Sequence, residues 1–365
     1  MASVSNTHPL LSRTECNILR GVAIIGIFLH NYCHWLAPIV KENEYTFSLH
    51  NVAVLNQVLE HPDIYLPVHL LSFFGHYGVP VFLFLSAYGL VCKYERPGAC
   101  APVAATCFVR YHYLKLFKMM IVGFVAFACI DAITPGRWHY TVTQVLAQLC
   151  MLNNLLPDPD HQIWPGPYWF FGLMLQLYVV YRLLLYRRHW GVTAALMAVC
   201  VALQLTMDPD GDAINRYRYN FMGGMLPFGL GLLYARYGHK LKLENRSMWL
   251  WGMVFVVSCL LIYICSLNFV LWAVAPAVVC VSSVCMVKWM SCRMSDVPSL
   301  VPGVLEWMGQ ISAALFVSHP IVRKMLIPIS RGGDIYAGLI LYLVAAVCVA
   351  WLFRLLMNKI PNPKL

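Results

Sequence analysis

LRGVAIIGIFLHNYCHW, residues 19–35, is an apolar run that carries one arginine, one asparagine and two histidines. Its apolar positions are continuous enough for a membrane-crossing helix, so the placement of the polar ones decides how that helix faces its surroundings. At 3.6 residues per turn, Asn31 falls about 20° from Arg20 around the axis and His34 about 40° to the other side. His30 falls a further ~40° beyond His34, so the four share an arc of roughly 100°, one face of a packed helix. His30 lies about 15 Å along the axis from Arg20. Polar groups at that depth are costly in hydrocarbon unless they face a cavity or a partner. The stretch therefore predicts a helix that turns a polar face inward.

The rest of the chain has the same character. Its 365 residues are 60% hydrophobic and only 12% charged, where a soluble domain carries about 25% charged residues. Apolar windows predict ten spans, at about 17–38, 78–94, 108–131, 167–186, 190–207, 219–236, 247–266, 268–289, 303–327 and 334–357. Their lengths suit helices crossing a hydrocarbon core of ~30 Å. The second span is short, and the preceding LPVHLLSFFGHY reads as an interfacial or re-entrant lead-in. YTVTQVLAQLCMLNNL (140–155) contains two glutamines and, near its end, Asn153 and Asn154, so it reads as an amphipathic segment, not a span.

Basic residues orient the spans. With the amino terminus in the cytoplasm, nineteen of the 26 Lys and Arg fall at cytoplasmic ends, and only Lys41, Arg137, Arg216, Arg218, Arg323, Lys324 and Arg331 fall opposite. Positive residues concentrate on the cytoplasmic side of membrane proteins. An eleventh span would put Arg187, Arg188, Lys240 and Lys242 on the wrong side. The expectation is an all-α polytopic membrane protein of about ten helices, with both termini cytoplasmic and residues 1–365 forming a single domain. The net charge of +10 then reflects orientation and contact with anionic membrane lipid, and no nucleic-acid partner is expected. The first twenty residues lack the order of a cleavable signal peptide, so the first span reads as a retained helix. Fourteen cysteines are scattered with no CxxC pair, which supports neither a zinc site nor a disulfide framework. HExxH, GxSxG and phosphate-loop patterns are absent from the sequence, so metalloprotease, serine-hydrolase and nucleotide-hydrolase readings have no support.

Imidazole is a natural general base because its reference pKa of ~6.5 lies near working pH. Arginine suits a phosphate because its planar fork donates two parallel hydrogen bonds and stays charged. A lone intramembrane histidine is as often a hydrogen-bonded packing residue, but the alignment of Arg20, His30, Asn31 and His34 favours function. The stripe points to an anionic ligand near Arg20 and proton abstraction deeper in the membrane.

Five further segments carry a family likeness: GVPVFLFLSAYGLVCKYE (78–95), FVRYHYLKLFKMM (108–120), YWFFGLMLQLYVVYRLLL (168–185), FMGGMLPFGLGLLYARYG (221–238) and LEWMGQISAALFVSHPIV (305–322). With the first-helix stripe, in this order, they resemble the acyltransferase 3 family, bacterial integral-membrane enzymes that mostly O-acetylate surface glycans. The resemblance implies a cytoplasmic acyl-CoA donor, usually acetyl-CoA, no metal, and essential first-helix Arg and His residues, which map onto Arg20 and His30. It implies as acceptor a hydroxyl of a cell-surface carbohydrate or lipid-linked glycan, and as location the bacterial inner membrane. Three departures stand out. Nine residues separate Arg20 from His30 where the family usually has ten, so Asn31 occupies the usual position and His34 is a rival base. Asn17 replaces a frequent acidic residue, and Ala87 replaces the glycine of the common SGY.

Other positions divide between chemistry and packing. Arg110 and Lys115 are expected to join Arg20 around the donor phosphates, whereas Lys118 reads as an orienting charge. Ser86 and Tyr88 are candidates to line the same channel, and His319, before Pro320, is a candidate acceptor-side residue. Trp169, with Trp164 and Tyr168, reads as either an interfacial belt or a stacking surface for a sugar. Glu306 is expected to pair with a basic neighbour. Arg216 and Arg218 suit an anionic glycan or lipid headgroup, although Asp208, Asp210 and Asp212 offer local pairing. Gly223, Gly224, Gly229 and Gly231 are expected to permit close helix packing. The alternative from another class is a transporter with the polar stripe lining its path; such folds often show inverted repeats, and none is evident.

Overall fold

The structure, a computed structural model, describes residues 9–96, 103–241, 246–294 and 300–364; Lys242 lies outside them. All regular elements among these residues are helical. In chain order they are α1 (Arg13–Cys33), α2 (Leu49–Glu60), α3 (Leu66–Phe74), α4 (Gly78–Tyr94), α5 (Ala105–Ile133), α6 (Val142–Cys150), α7 (Trp169–Val180), α8 (Trp190–Leu205), α9 (Asp212–Tyr219), α10 (Phe221–Tyr237), α11 (Met248–Cys265), α12 (Phe269–Trp272), α13 (Ala275–Met294), α14 (Leu300–Gly332) and α15 (Ile335–Lys359). The chain is an all-α polytopic membrane protein: among the described residues, eight helices are long and apolar enough to cross a bilayer. The expected spans at 190–207 and 219–236 are helices of 16 and 17 residues, a few short of the ~20 that cross unaided.

The lead-in to the second span differs from expectation. α3, a 3-10 turn at Gly75–Tyr77 and α4 run on from one another, and Leu66–Tyr94 forms one 29-residue candidate span. The turn lies against α1, where Gly26 and Gly75 meet. A methyl at Gly75 would stand 2.5 Å from the Gly26 carbonyl oxygen and 2.6 Å from His30 Cβ. The 140–155 segment does not span. It forms α6, started by a Thr141/Gln144 capping box and ended by Met151 at φ 58°. Gln148, Asn153 and Asn154 are buried.

α1 begins where its sequence says a helix should. Ser12 Oγ accepts from the Glu15 amide at 3.1 Å and the Ser12 amide donates to Glu15 Oε2 at 2.7 Å, a reciprocal cap. Lys288 of α13 donates to both Glu15 oxygens, at 2.8 and 3.0 Å, so the cap also ties two helices together.

From there α1 runs alongside α14 with almost no side chain between the backbones. A methyl at Gly309 would lie 1.9 Å from the Asn17 carbonyl oxygen, and one at Gly21 would lie 2.0 Å from that of Leu305. Small residues let membrane helices approach this closely, where apolar burial gives no net drive. Gly231 of α10 does the same against the Phe84 carbonyl of α4, at 2.2 Å for an added methyl. α14 is parallel to α1, since Gly309 meets Asn17 and Arg323 meets Asn31. α15 is antiparallel, because Tyr342 near its start donates to Phe28 near the end of α1, at 2.9 Å. Residues 13 and 359 therefore lie on the same side of the bundle, where Lys118 donates to Asn362 at 2.9 Å. Glu306 pairs with no basic neighbour among the described residues; its partner is the Thr14 hydroxyl at 3.3 Å.

Gly309→Ala is expected to lower stability by roughly 1–3 kcal/mol through overpacking, read as an earlier thermal unfolding transition in detergent. Gly303→Ala, on the same helix with nothing within 4 Å, is expected to leave that transition in place.

Candidate active site

The far end of α1 is held by groups that satisfy its last carbonyls. Arg323 Nη1 donates to the Asn31 carbonyl at 3.0 Å, Arg331 donates to that of Trp35 at 3.0 and 3.3 Å, and Lys41 donates to that of His34. Three cations on carbonyls in the last turn of α1 and the two residues after it complement the negative dipole end of the helix. α1 is regular through Cys33, so no bulge shifts the register between Arg20 and His30.

His30 is buried, 1% exposed, and its Nδ1 lies 2.7 Å from the Ser72 carbonyl oxygen. A carbonyl only accepts, so Nδ1 carries a proton, and in the neutral ring it is Nε2 that holds the lone pair. Nε2 faces Glu44 Oε2 at 3.6 Å and Glu42 Oε1 at 4.0 Å, and has no hydrogen-bond partner. His34, one turn on, stands edge-to-face with His30 at 4.8 Å between ring centres. Its Nδ1 is 3.2 Å from Glu42 Oε1. Burial alone would lift the Glu42 carboxyl, but the two histidines beside it outweigh burial and hold it below the usual carboxylate range. His76 completes the group at 5.7 Å from the His30 ring, with neither ring nitrogen partnered.

Two cavities open along the polar face of α1. The first, about 260 Å³, is lined by Arg20, Ser86, His112, Lys115, Tyr178 and Ser312, together with Ile27, Phe170 and Phe316. The second, about 340 Å³, is lined by Asn31, His34, Glu42, Glu44, Asp160, Trp169 and Arg323, and again by Ile27, Phe170 and Phe316. These three shared residues form an apolar collar between a cavity with two cations and one with the imidazole and carboxylates. A larger cavity of about 630 Å³ lies on another face of α1, lined by Leu19, Val22 and Gly26 with residues of α3, α4, α11 and α13. It contains no carboxylate, histidine or basic residue; its titratable side chains are Tyr77, Tyr263 and Cys259.

Among the residues singled out from sequence, Arg20, Ser86 and Lys115 meet at the first cavity, and His34 and Trp169 meet at the second, with His30 packed behind His34. Arg20 also donates to Asn17 Oδ1 at 3.1 Å, the position where the expected pattern has an acid. The others lie elsewhere. Arg110 is exposed on α5 and lines neither cavity. Tyr88 faces the segment before α1, its hydroxyl accepting from the Leu11 amide at 2.9 Å. His319 is enclosed within the bundle, its Nδ1 3.1 Å from the Leu315 carbonyl of its own helix. Arg218 does not pair with its neighbouring aspartates; it donates to the Glu44 carbonyl at 3.1 Å and lies over the Trp272 ring.

A family model for an acyltransferase domain, acyltransferase 3, matches residues 13–355. The chain belongs to the acyltransferase 3 family. It is thus a multi-pass membrane acyltransferase. No curated protein and no solved structure matches the chain.

In this acyltransferase, sequence reading missed Glu42, Glu44, His76 and Arg323 as parts of one site. Glu42 and Glu44 follow α1 within KENEY (41–45), a short acidic segment that folds back over the histidines. Its signal was the acidity of a loop after a helix that ends in two histidines. Arg323 was visible only as a basic residue on the minority side.

Gly75→Ala drives a methyl into His30 Cβ and the Gly26 carbonyl, so α1 and the turn must part at His30, which is expected to displace its ring. A displacement near 1 Å in a catalytic group costs about 10²-fold in rate. Acyl transfer by this variant is expected to fall on that scale while its membrane insertion, followed by protease protection, is unchanged.

Proposed function

We propose that the protein transfers an acetyl group from cytoplasmic acetyl-CoA to a hydroxyl of a cell-surface carbohydrate or lipid-linked glycan in the bacterial inner membrane. The observation that carries this reading is the pair of cavities meeting at Ile27, Phe170 and Phe316. One end suits phosphates, the other suits deprotonation of an alcohol, and the collar between them suits an extended, uncharged pantetheine arm. The excess of basic residues on the Arg20 side supports a cytoplasmic location for that end, where acyl-CoA is made.

Arg20 and Lys115 hold the donor phosphates, with Ser86 and Tyr178 along the wall; Arg110 is too exposed to share that cavity. The thioester passes the collar and reaches the second cavity. His30 Nε2, its tautomer set by Ser72, takes the acceptor's hydroxyl proton, with His34 forming the cavity wall in front of it. The alkoxide attacks the thioester carbonyl, the carbon–sulfur bond breaks, and the proton passes from the imidazolium to the departing thiolate. Glu42 and Glu44 stabilise the imidazolium. Arg323 is the cation available to the oxyanion that forms on the carbonyl. Trp169, which meets Tyr45 and Tyr219 edge-to-face at 5.5 and 5.6 Å, supplies an aromatic wall for a sugar ring.

The test is purified protein in liposomes with labelled acetyl-CoA and membrane glycan extract, following thiol release and label on glycan. His30→Ala is expected to slow transfer by about 10²–10⁴-fold, the worth of a general base. Normal turnover in that variant with loss in His34→Ala moves the base to His34, which the wall position of His34 would explain. Solute flux without thiol release would contradict the reading altogether. Arg20→Ala is expected to raise the KM for acetyl-CoA by roughly 10- to 100-fold, matching about 1.5–3 kcal/mol for hydrogen bonds to a charged group.

A further inference from the structure

Beside the second cavity, three neighbouring side chains each hold a buried polar atom with no hydrogen-bond partner: His30 Nε2, His34 Nδ1 and Glu42 Oε2. Buried polar atoms are nearly always partnered, so a group of orphans at one point calls for a ligand. The atoms that these residues offer to an ion lie within 4.8 Å of one another, with His34 Nδ1 and Glu42 Oε1 already at 3.2 Å. We propose that His30, His34 and Glu42 form a three-ligand site for a divalent transition metal, Zn²⁺ being the best chemical match.

Two imidazoles and a carboxylate are a set that Zn²⁺ accepts, with a fourth position left for water or substrate. Tetrahedral ligands at ~2.0–2.1 Å stand about 3.4 Å apart. The group therefore closes by roughly an ångström on binding, within the reach of small rotations of the Glu42 and His34 side chains at the helix end. The other nitrogen of His30 donates to the Ser72 carbonyl at 2.7 Å, which fixes the ring and points Nε2 at the site. Glu44, 3.6 Å from His30 Nε2, adds a second carboxylate that offsets the Arg323 cation in the same cavity. His34 and Glu42 both line that cavity, which provides the ion's route and faces the open position. The absence of CxxC pairs is no obstacle, because the ligand pattern is a histidine pair one helical turn apart with a glutamate eight residues on.

The consequence for turnover rests on the proposed base: a metal on Nε2 occupies the lone pair that would accept the acceptor's proton. Zn²⁺ then inhibits transfer reversibly, and the site makes the enzyme sensitive to free transition metal.

Binding is read first, without turnover. The full chain, purified and stripped with EDTA, is titrated with Co²⁺, which reports tetrahedral nitrogen and oxygen ligands by its visible absorption, and then with Zn²⁺ to displace it. A saturable band is expected in the unaltered protein. Losing a residue behind a metal ligand costs ~10–100-fold in affinity, so His34→Ala and Glu42→Gln are each expected to weaken Co²⁺ by at least about tenfold. His50→Ala, exposed on α2, is expected to leave it unchanged. A band of equal affinity in Glu42→Gln and His34→Ala, a sulfur-to-cobalt charge-transfer spectrum, or no band in the unaltered protein overturns the site. Acyl transfer is then measured with and without Zn²⁺. Inhibition reversed by EDTA supports both the site and the base. Binding without inhibition leaves the metal site standing and overturns His30 as the base.

Discussion

The contact on which the rest depends is the backbone-to-backbone packing of α1 on α14 through Gly21 and Gly309. Because no side chain separates the two helices there, neither the rotation nor the height of α1 has slack. The rotation turns Arg20, Ile27, Asn31 and His34 toward the two cavities and sends His30 toward Ser72. The height brings the last turn of α1 level with Arg323 and Arg331 of α14, whose guanidinium groups satisfy its carbonyls. A shift of one residue would turn each of these side chains by 100° and undo both arrangements.

Much of this was legible in the sequence because it is local. The period of 3.6 residues predicted which positions of α1 share a face, and Asn31 and His34, which lie within about 40° of Arg20, line the two cavities of the site with it. His30, furthest around the arc, sits at the flank against α3. The helical class and most spans followed from apolar windows, and Gly224, Gly229 and Gly231 of α10 meet neighbouring helices as expected, whereas Gly223 meets Arg218 just before it in the chain. Departures came where distant segments decide. The continuity of α3 with α4 depends on Gly75 fitting against Gly26, a contact that hydropathy does not encode. Tyr88 and Arg110 lie on the right helices, but their directions depend on Leu11 and on the exposed side of α5. Glu42 and Glu44 belong to an irregular loop with no period to read, and their partners become visible only when the chain folds back.

The polar groups of the site are arranged as a gradient along one helix. Cations sit at one end, three apolar side chains in the middle, and imidazoles with carboxylates at the other. An apolar collar suits a thioester carrier better than a charged one, because it admits an uncharged arm and retains the phosphates behind it. On the proposed function, it also separates the acceptor cavity from the donor cavity, which would limit hydrolysis of the thioester by water from the donor side. The same histidine lone pairs serve a proton or a metal, so acid–base chemistry and metal sensitivity are two faces of one cluster.

The most direct test of the central claim is an experimental structure with a non-transferable thioether analogue of acetyl-CoA. The account predicts the phosphates beside Arg20 and Lys115, the pantetheine between Ile27, Phe170 and Phe316, and the acyl end facing His34 and Glu42. Analogue bound outside the bundle, or in the Leu19/Val22/Gly26 cavity with the collar shut, would contradict it.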